Sequence, residues 1–542
     1  MSKKQILVTS ALPYANGPIH IGHLVEYIQT DIWVRFKRFL GEKVTYVCAD
    51  DAHGTPIMIK AKQEGIQPEA LIEAVQKAHE RDFAAFNVEF DHYHSTHSPE
   101  NEALAGFFYQ KAQEKGAIFK QNIQQFYSEK DAMFLPDRFI KGTCPRCKAE
   151  DQYGDSCDKC GATYSPTDLI EPKSVLSGDT PILKETEHFF FDLKLFEGDI
   201  KEWLAQGPLQ SEMTNKLQEW FEVGLKPWDI TRDAPYFGFK IPGTRDKYFY
   251  VWLDAPIGYL AATQAYLAHQ NIQAKDLWAD DQTEIHHFIG KDIMYFHTLF
   301  WPALLKAADL QLPTAVHIHG FLTVNGQKMS KSKGTFILAE EFLKVAPPDY
   351  LRYYYASKLT AKAEDLDLNL EDFVLKVNAD IINKCLNIGS RSAKIIEKNF
   401  QGKLGDLDEK GLALLDSIYT QLPAIQAAYE QLDFAQAMRL SMAQAQAVNQ
   451  YIDQEKPWDL VKTDPESAQK VLTAALSAFY TLMGALKPVL PEISMKSFQF
   501  LNKEPQTWQD LFQPLTQHSI TSFERFATRL ELQSVLKMLN FH

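Results

Sequence analysis

The sequence lacks any apolar run long enough to cross a membrane, and its first residues do not resemble a secretory leader. The longest apolar candidate, residues 471–486, is interrupted by Thr473, Ser477 and Thr481 and is shorter than the roughly 20 residues of a membrane span. The N-terminal MSKKQILVTS contains an apolar run too short for a signal peptide. We therefore expect a buried helix at 471–486 and a cytoplasmic protein.

Two common phosphate-binding loops are also missing. No GxxxxGK[ST] occurs, and none of the 26 glycines is followed by another two positions later, which excludes GxGxxG. Positive charge is scarce, because 56 Lys and Arg stand against 70 Asp and Glu, for a net charge of −14. Bulk attraction to a nucleic acid is therefore excluded. Such a partner would need a local basic face, which helical spacing offers at Lys384, Arg391, Lys394 and Lys398.

Cysteine is rare except in one short stretch. Of six cysteines, four lie within residues 144–160 as the pairs CPRC and CDKC, while Cys48 and Cys385 are expected to be plain buried residues. Two CxxC turns at this spacing are typical of a zinc knuckle, in which four thiolates surround the metal. Redox disulfides and bound iron are the alternatives. The prediction is one structural Zn²⁺ held by Cys144, Cys147, Cys157 and Cys160.

Apolar periodicity at the start of the chain predicts a strand, a helix and a strand. The strands are expected at 6–8 and 44–47, and apolar residues recur at helical spacing between Ile21 and Phe39. This order favours a parallel sheet that binds ligands at the carboxyl ends of its strands. At 542 residues the chain is too long for one core, so several domains are expected.

The rest of the chain is predicted to resume this sheet and then to become helical. Periodicity is lost from about residue 119 to 230, which indicates an insertion. Further strands are predicted at 248–252, 285–289 and 315–318. From about 372 to 539, only helical spacing remains.

The stretch PYANGPIHIGH, residues 13–23, connects the first predicted strand to the first helix. A helix N-terminus attracts anions through its free N–H groups and its dipole. His20 and His23 lie on one face of the first turn and can donate to phosphate oxygens, and Gly22 lets a base or sugar approach the backbone. The alternative is that the two histidines only cap the helix.

A second candidate phosphate contact is the lysine-rich stretch NGQKMSKSKGT, residues 325–335. Lys328, Lys331 and Lys333 lie between two glycines that can act as hinges. Flexible lysines at this position can neutralise a departing pyrophosphate. A solvated surface loop is the alternative.

HIGH at 20–23 and KMSKS at 328–332 resemble the two signature sequences of the class I aminoacyl-tRNA synthetases. Through ALPYANGPIHIGH, ADDAHGTPI, YVWLDAPIGY and the CxxC pair, the chain is most similar to the zinc-containing bacterial methionyl-tRNA synthetase family. The resemblance implies an α/β fold, with a split Rossmann-like parallel sheet, a zinc-knuckle insertion and an all-α anticodon-binding domain. The implied parts are the two catalytic halves at 1–118 and 231–325, the insertion at 119–230, the KMSKS loop and stem-contact region at 326–385 and the anticodon-binding domain at 386–542.

The same resemblance implies the residues that meet each substrate. For catalysis these are His20, His23, Lys328 and Lys331, and for ATP they are His20, Gly22, His23, Glu26, Gly290, Asp292 and Lys331. The methionine pocket would comprise Leu12, Tyr14, Asp51, Val251, Trp252, Ala255, Pro256, Tyr259, Ile293 and His297. The anticodon would be contacted by Asn387, Arg391 and Trp458.

These assignments also have plain structural alternatives. Trp252 and Tyr259 suit a thioether pocket, since sulfur contacts aromatic rings favourably, but aromatic residues are more often ordinary core. Asp51 can pair with a substrate ammonium or serve as a turn residue. Trp458 can be core, and Arg391 can belong to a solvated ion pair.

The implied activity is methionine–tRNA ligation. ATP, accompanied by Mg²⁺, would activate methionine to its adenylate, which would then esterify the terminal adenosine of methionine tRNA. Three alternatives are a class I synthetase for another apolar amino acid, an HxGH nucleotidyltransferase acting on a phosphorylated small molecule, and an RNA-binding protein built around a zinc knuckle. A monomer is expected.

Overall fold

Strands and helices alternate in the first part of the chain. The computed structural model describes residues 5–136, 139–154, 157, 159–160, 162, 164–268, 270, 272–329 and 335–537. The first elements are β1 (Gln5–Ser10), α1 (Ile21–Phe39), β2 (Lys43–Asp50), α2 (Thr55–Glu64), α3 (Pro68–Ala85), β3 (His92–Ser95) and α4 (Pro99–Glu114). The predicted strand, helix and strand at the start of the chain are confirmed.

The next segment forms small antiparallel sheets. It contains β4 (Ile118–Ser128), β5 (Met133–Phe134), β6 (Ile140–Thr143), β7 (Gln152–Tyr153), β8 (Ile170–Ser174), β9 (Ile182–Phe191), α5 (Glu197–Ala205), α6 (Ser211–Val223) and β10 (Trp228–Asp229). β4 and β9 pair along a long ribbon, and β6 lies between β7 and β8. The cysteine pairs therefore belong to a small sheet that is separate from the central one.

The next segment holds a short antiparallel pair of strands and then two more strands of the central sheet. The elements are β11 (Thr231–Asp233), β12 (Lys247–Phe249), α7 (Val251–Leu267), α8 (Ala274–Ala279), β13 (Thr283–Gly290), α9 (Trp301–Ala307) and β14 (Ala315–His319). The strand predicted at 248–252 is partly wrong, because α7 begins at Val251 and carries Trp252. This helix is buried over most of its length, so its sequence is apolar on every side and shows no helical period.

All five strands of the central sheet are parallel, in the order β14-β13-β1-β2-β3. β13 lies beside β1, so the segments before and after the insertion build one sheet, and the predicted split parallel sheet is confirmed. The carboxyl ends of β1, β2, β13 and β14 meet at one edge. Ligands of such sheets bind outside this edge.

The chain becomes helical after a small three-stranded sheet. This part contains β15 (Leu322–Val324), β16 (Gln327–Lys328), α10 (Ala339–Leu343), α11 (Pro348–Ala356), β17 (Leu366–Leu368), α12 (Leu370–Lys376), α13 (Asn387–Phe400), α14 (Glu409–Tyr419), α15 (Leu422–Glu430), α16 (Phe434–Glu455), α17 (Pro457–Thr463), α18 (Pro465–Leu486), α19 (Pro491–Leu501) and α20 (Leu532–Leu536). The buried helix expected at 471–486 is confirmed within α18. Among the described residues, no helix is long and apolar enough to cross a membrane.

The helical prediction for the last part of the chain is partly wrong. Residues 513–531 form neither a helix nor a strand, and among the described residues that follow them the only helix is the short α20. Their backbone bonds to other parts of the fold instead, since Leu404 N–H donates to His518 O at 2.7 Å and Ile520 N–H to Gly402 O at 2.8 Å. In this segment, hydrogen bonds to other parts of the fold satisfy backbone groups that would otherwise bond within a helix.

A buried arginine fastens the helical part to α1. Arg352 of α11 is fully buried and donates to Asp31 of α1 at 2.6 Å. Its other N–H groups donate to the carbonyl oxygens of Phe86 at 3.1 Å, Pro488 at 2.9 Å and Val489 at 3.0 Å. Because buried charged groups are costly to leave unpaired, these bonds set the position of α1 against the turn between α18 and α19.

Candidate functional site

Two stacked histidines cap the N-terminus of α1. The His20 Nδ1 accepts from Gly22 N–H at 3.1 Å and His23 N–H at 3.3 Å, while His20 N–H donates to His23 Nδ1 at 3.3 Å. The two ring centroids are 3.5 Å apart. Both Nδ1 atoms are acceptors, so in the neutral rings the proton resides on Nε2. Capping and ligand donation are therefore compatible, because they use different nitrogens.

Burial keeps these rings uncharged. It lowers the pKa of His20 to about 4, and burial together with the charges of His20 and His79 holds the pKa of His23 well below its usual value. At neutral pH both rings are therefore neutral donors. The positive charge that a bound polyphosphate needs must therefore come from other residues.

A cavity of about 560 Å³ opens in front of this helix end, at the carboxyl edge of the sheet. Lys328 and Met329, the first residues of KMSKS, line it together with HIGH. A Cβ on Gly22 would collide with the Met329 side chain. Lys331, the second predicted catalytic lysine, lies outside the described residues, as does Lys333. The structure thus places the HIGH residues and the start of KMSKS around the same cavity.

Most of the predicted substrate residues line this same cavity. They are Leu12, Tyr14, His20, Gly22, His23, Glu26, Asp51, Trp252, Ala255, Pro256, Tyr259, Gly290, Asp292, Ile293, His297 and Lys328. Val251 is not among its lining residues; its N–H donates to the Tyr236 hydroxyl at 3.1 Å. Two lining residues that the sequence reasoning missed are His319 and Phe296. His319 ends β14, and its polarity at a strand's carboxyl end was the available signal.

One side of the cavity carries a buried acid paired with a histidine. The Glu26 carboxylate lies 3.3 Å from His319 Nε2, and His319 Nδ1 donates to Gly320 O at 2.7 Å. Burial raises the pKa of Glu26 to about 7. Burial alone would lower the pKa of His319, but the bond to Glu26 raises it. Gly290 leaves room here, since a Cβ on it would collide with the Asp292 carboxylate.

Another part of the cavity wall is aromatic, with one carboxylate. Trp252 stacks on Phe296 with centroids 4.1 Å apart. His297 Nδ1 donates to Ile293 O at 3.1 Å, so its Nε2 accepts from the Tyr259 hydroxyl at 2.7 Å. Burial lowers the pKa of His297 to about 4, which keeps this ring neutral. The arrangement suits an apolar side chain that ends in a soft, weakly polar group.

Asp51 is the acidic member of this aromatic side. Only 7% of it is exposed, and its Oδ1 has no hydrogen-bond partner within the described part of the chain. Burial and then the charge of Asp254 hold the pKa of Asp51 well above its usual range. A buried carboxylate with an unpartnered oxygen calls for a cationic ligand.

Comparison with known proteins decides the family. The model of the class I (M) tRNA synthetases matches residues 6–393. A second model, the anticodon-binding domain of methionyl-tRNA ligase, matches residues 402–525. The chain belongs to the methionyl-tRNA synthetase family. Members of this family activate methionine with ATP and charge tRNA with it, so the chain is a methionine–tRNA ligase.

Solved structures agree on the fold. The chain is similar to Mycobacterium tuberculosis methionyl-tRNA synthetase in complex with methionyl-adenylate, with a TM-score of 0.80 and 24% identity over 96% of this chain and 99% of that one. A second structure of that synthetase, also bound by methionyl-adenylate, gives a TM-score of 0.78 and 23% identity over 96% and 98% of the two chains. The α/β architecture with a helical C-terminal domain is thereby confirmed.

The synthetase also carries a four-sulfur cluster that is compatible with zinc. The four cysteine Sγ atoms of the predicted set all lie within 4.8 Å of one another. Two of the distances are 3.9 Å, from Cys144 to Cys160, and 3.5 Å, from Cys147 to Cys157. A tetrahedron with zinc–sulfur bonds of about 2.3 Å has edges of about 3.8 Å, so the donor set fits the metal.

The two cysteine turns have the same local geometry. Cys147 N–H donates to Cys144 Sγ and Cys160 N–H to Cys157 Sγ, both at 3.4 Å. In each turn the N–H of the first cysteine also bonds to a carbonyl five residues later, at Ala149 and Ala162. Such N–H donors stabilise thiolates, the form of cysteine that binds metals.

In the helical part of the synthetase, Arg391 lies 4.9 Å from the centre of the Trp458 ring and 3.0 Å from Asp453. Trp458 is 36% exposed, so it is not a core residue. Asn387, one turn before Arg391, lines a different cavity, of about 320 Å³. Lys384 is paired with Asp380 at 2.7 Å, so the predicted basic face is partly neutralised by two aspartates.

Proposed function

We propose that methionine activation takes place in the cavity between HIGH and the start of KMSKS. The observation that carries the proposal is the chemistry of its two sides: neutral imidazole donors at a helix N-terminus, and an aromatic pocket with one carboxylate whose Oδ1 has no partner among the described residues. The first side suits a phosphate, and the second suits an amino acid with an apolar side chain.

ATP is assigned to the helix side. The Nε2–H groups of His20 and His23 donate to the phosphates, and Gly22 lets the nucleotide approach the backbone. Glu26, Gly290 and Asp292 surround the adenosine, whose ribose hydroxyls need acceptors. Mg²⁺ enters with ATP on its phosphates, and we assign no residue to it.

Methionine is assigned to the aromatic side. Its ammonium group pairs with Asp51, and its side chain lies among Leu12, Tyr14, Trp252, Ala255, Pro256, Tyr259, Ile293 and His297. Val251 does not line the cavity. It contributes only by beginning α7, the helix that carries Trp252 and Tyr259. The neutral His297 and the Tyr259 hydroxyl give the pocket polarity without charge, which suits a thioether.

The chemical step needs alignment and charge rather than a covalent intermediate with the protein. The methionine carboxylate attacks the α-phosphorus of ATP, the bond to the β-phosphate oxygen breaks, and pyrophosphate leaves. Donors and cations aimed at the phosphates stabilise the charge that builds there. His20 and His23 supply the neutral donors, and we assign the positive charge to Lys328 and Lys331. A ribose hydroxyl of the terminal adenosine of tRNA then attacks the carbonyl carbon of the adenylate, the bond from this carbon to the phosphate oxygen breaks, and AMP leaves.

We further propose that Asn387, Arg391 and Trp458 contact anticodon bases. A guanidinium that lies over a partly exposed indole offers a flat platform for stacking an unpaired base.

We also propose the five-part division of the chain given above, a monomeric state and a cytoplasmic location. Light scattering tests the monomer.

The proposal is tested by charging assays. Methionine tRNA should accept methionine and no other standard amino acid, and isoleucine tRNA should accept none from this enzyme. Charging with a different apolar amino acid would favour a synthetase of other specificity. A chain that charges no tRNA at all would contradict the proposal.

The cysteine cluster is proposed to hold one structural Zn²⁺, since protein ligands occupy all four positions. Metal analysis of the purified chain should give about one zinc per chain, and Cys147→Ser should give close to none. Limited proteolysis should then cut the variant within residues 140–174, because the turns lose the atom that joins them.

Cys385→Ser is the matched control for this metal analysis. Its thiol is buried beside Met442, away from the cluster, and the variant should keep its zinc. Full zinc content in Cys147→Ser, or iron in the native chain, would contradict the assignment.

A further inference from the structure

Three carboxylates are buried together beside the aromatic pocket. Asp50, Asp51 and Asp254 are at most 7% exposed, and Asp254 and Asp50 both act on Asp51 through their charges. Like charges at this depth repel strongly, so one of them takes up a proton unless cations neutralise the others. The proposed role of Asp51 requires that Asp51 is not the carboxylate that takes up this proton.

Histidines contact two of the three carboxylates. His79 Nδ1 lies 2.7 Å from Asp50, which also accepts from the Tyr93 hydroxyl. His53 Nδ1 makes a short contact with Asp254. Among the described residues, no histidine ring contacts Asp51, and Asp51 alone of the three lines the cavity. The cluster thus provides two possible counter-charges and leaves one carboxylate for a ligand.

His53 lies between Asp51 and Asp254. Its backbone N–H faces Asp51 and its ring faces Asp254, and the side chain is completely buried. The second ring nitrogen, Nε2, is 3.0 Å from Nδ1 of the exposed His97. Burial, followed by the charge of His53, lowers the pKa of His97, so its neutral ring can accept from Nε2–H. Both ring nitrogens of His53 therefore face hydrogen-bond acceptors.

We propose that His53 is a positioning residue for methionine binding: its ring, which donates to Asp254, offsets the charge of that carboxylate and so favours the ionised form of Asp51 that pairs with the substrate ammonium. This inference rests on the function proposed above, in which Asp51 receives that ammonium. His53 acts only through the two aspartates, since it does not line the cavity.

A purely structural role for His53 is the competing explanation. The His53–Asp254 contact also joins the end of β2 to the first turn of α7. However, Asn101 of α4 also holds this turn of α7, since its Nδ2 donates to Asp254 O at 3.3 Å and to Thr96 O, just after β3, at 2.9 Å. The two explanations predict different methionine KM values for a double variant that lacks both the His53 ring and the Asp254 carboxylate.

The test compares His53→Gln, Asp254→Asn and the double variant in methionine-dependent ATP–pyrophosphate exchange. His53→Gln should raise the methionine KM about tenfold, the equivalent of one pKa unit at Asp51, with ATP KM and kcat within about twofold. Asp254→Asn should leave the methionine KM unchanged or lower it. The double variant should return to within about threefold of wild type, because the repelling charge is gone.

His188→Gln is the matched control. His188 is equally buried and lies between Asp229 and Asp233, at 2.8 and 2.9 Å, but it does not line the cavity. Its loss should lower the melting temperature without moving the methionine KM. The inference is overturned by an unchanged KM in His53→Gln, by effects that add in the double variant, or by an equal rise in His188→Gln.

Two further variants keep the result decisive. If His53→Gln does not fold, Asp254→Asn alone decides, because a tenfold rise in its methionine KM contradicts charge neutralisation. Asp51→Asn separates this inference from the proposed function. An unchanged methionine KM in Asp51→Asn refutes both, whereas a rise there with none in His53→Gln refutes only the role of His53.

Discussion

His20→Asn lowers the rate of methionyl-adenylate formation about 100-fold while the melting temperature stays close to that of the wild type. Asparagine is a good N-cap, so it can still accept from the N–H groups of Gly22 and His23. It does not reach the position of the imidazole Nε2–H, which we assign to the phosphates. Rapid-quench measurement of a single turnover, with methionine and ATP saturating, reports the effect.

His20→Ala provides the comparison. It removes both the donor and the cap, so it should show the same loss of rate plus a loss of about 1 kcal/mol in the free energy of unfolding. Wild-type adenylation by His20→Asn would show that the ring serves only the helix end. A rate loss in His20→Ala alone would lead to the same conclusion.

Asp51→Asn raises the methionine KM about 100-fold and leaves the ATP KM within about threefold of the wild-type value. The substitution keeps the shape of the side chain but removes the only charge with which the ammonium pairs, and losing one partner of a buried charge pair costs several kcal/mol. Steady-state pyrophosphate exchange at varied methionine and at varied ATP separates the two constants.

Asp292→Asn is the counterpart on the other side of the cavity. It should raise the ATP KM and leave the methionine KM nearly unchanged, since Asp292 is assigned to adenosine. If Asp51→Asn raised both constants equally, the division of the cavity into a nucleotide side and an amino-acid side would be wrong.

Local patterns in the sequence predicted the parts of the fold that short segments control. The strand, the capped helix and the second strand at the start of the chain follow from apolar spacing and from a loop that ends at His20. The two CxxC turns similarly predicted a cluster of four sulfur atoms. In contrast, the run at 248–252 was misread, because an entirely apolar segment has no period that separates a buried helix from a strand.

The candidate site shows a different limit. Motifs indicated HIGH, Asp51 and Gly290 because each follows a predicted strand or opens a helix. Nothing near His53 in the chain indicates its pairing with Asp254, which lies 201 residues away. The contact of His319 with Glu26 likewise joins residues 293 positions apart. Such pairs depend on the order of the strands in the sheet, which local spacing does not determine.

Pyrophosphate exchange into ATP, measured without tRNA and with each standard amino acid in turn, tests the central claim most directly. A single cavity that binds ATP at the HIGH helix and methionine against Asp51 should give exchange that depends on methionine and is at least about 100-fold weaker with leucine, isoleucine or valine. Equal exchange with another amino acid, or none with methionine, would contradict it.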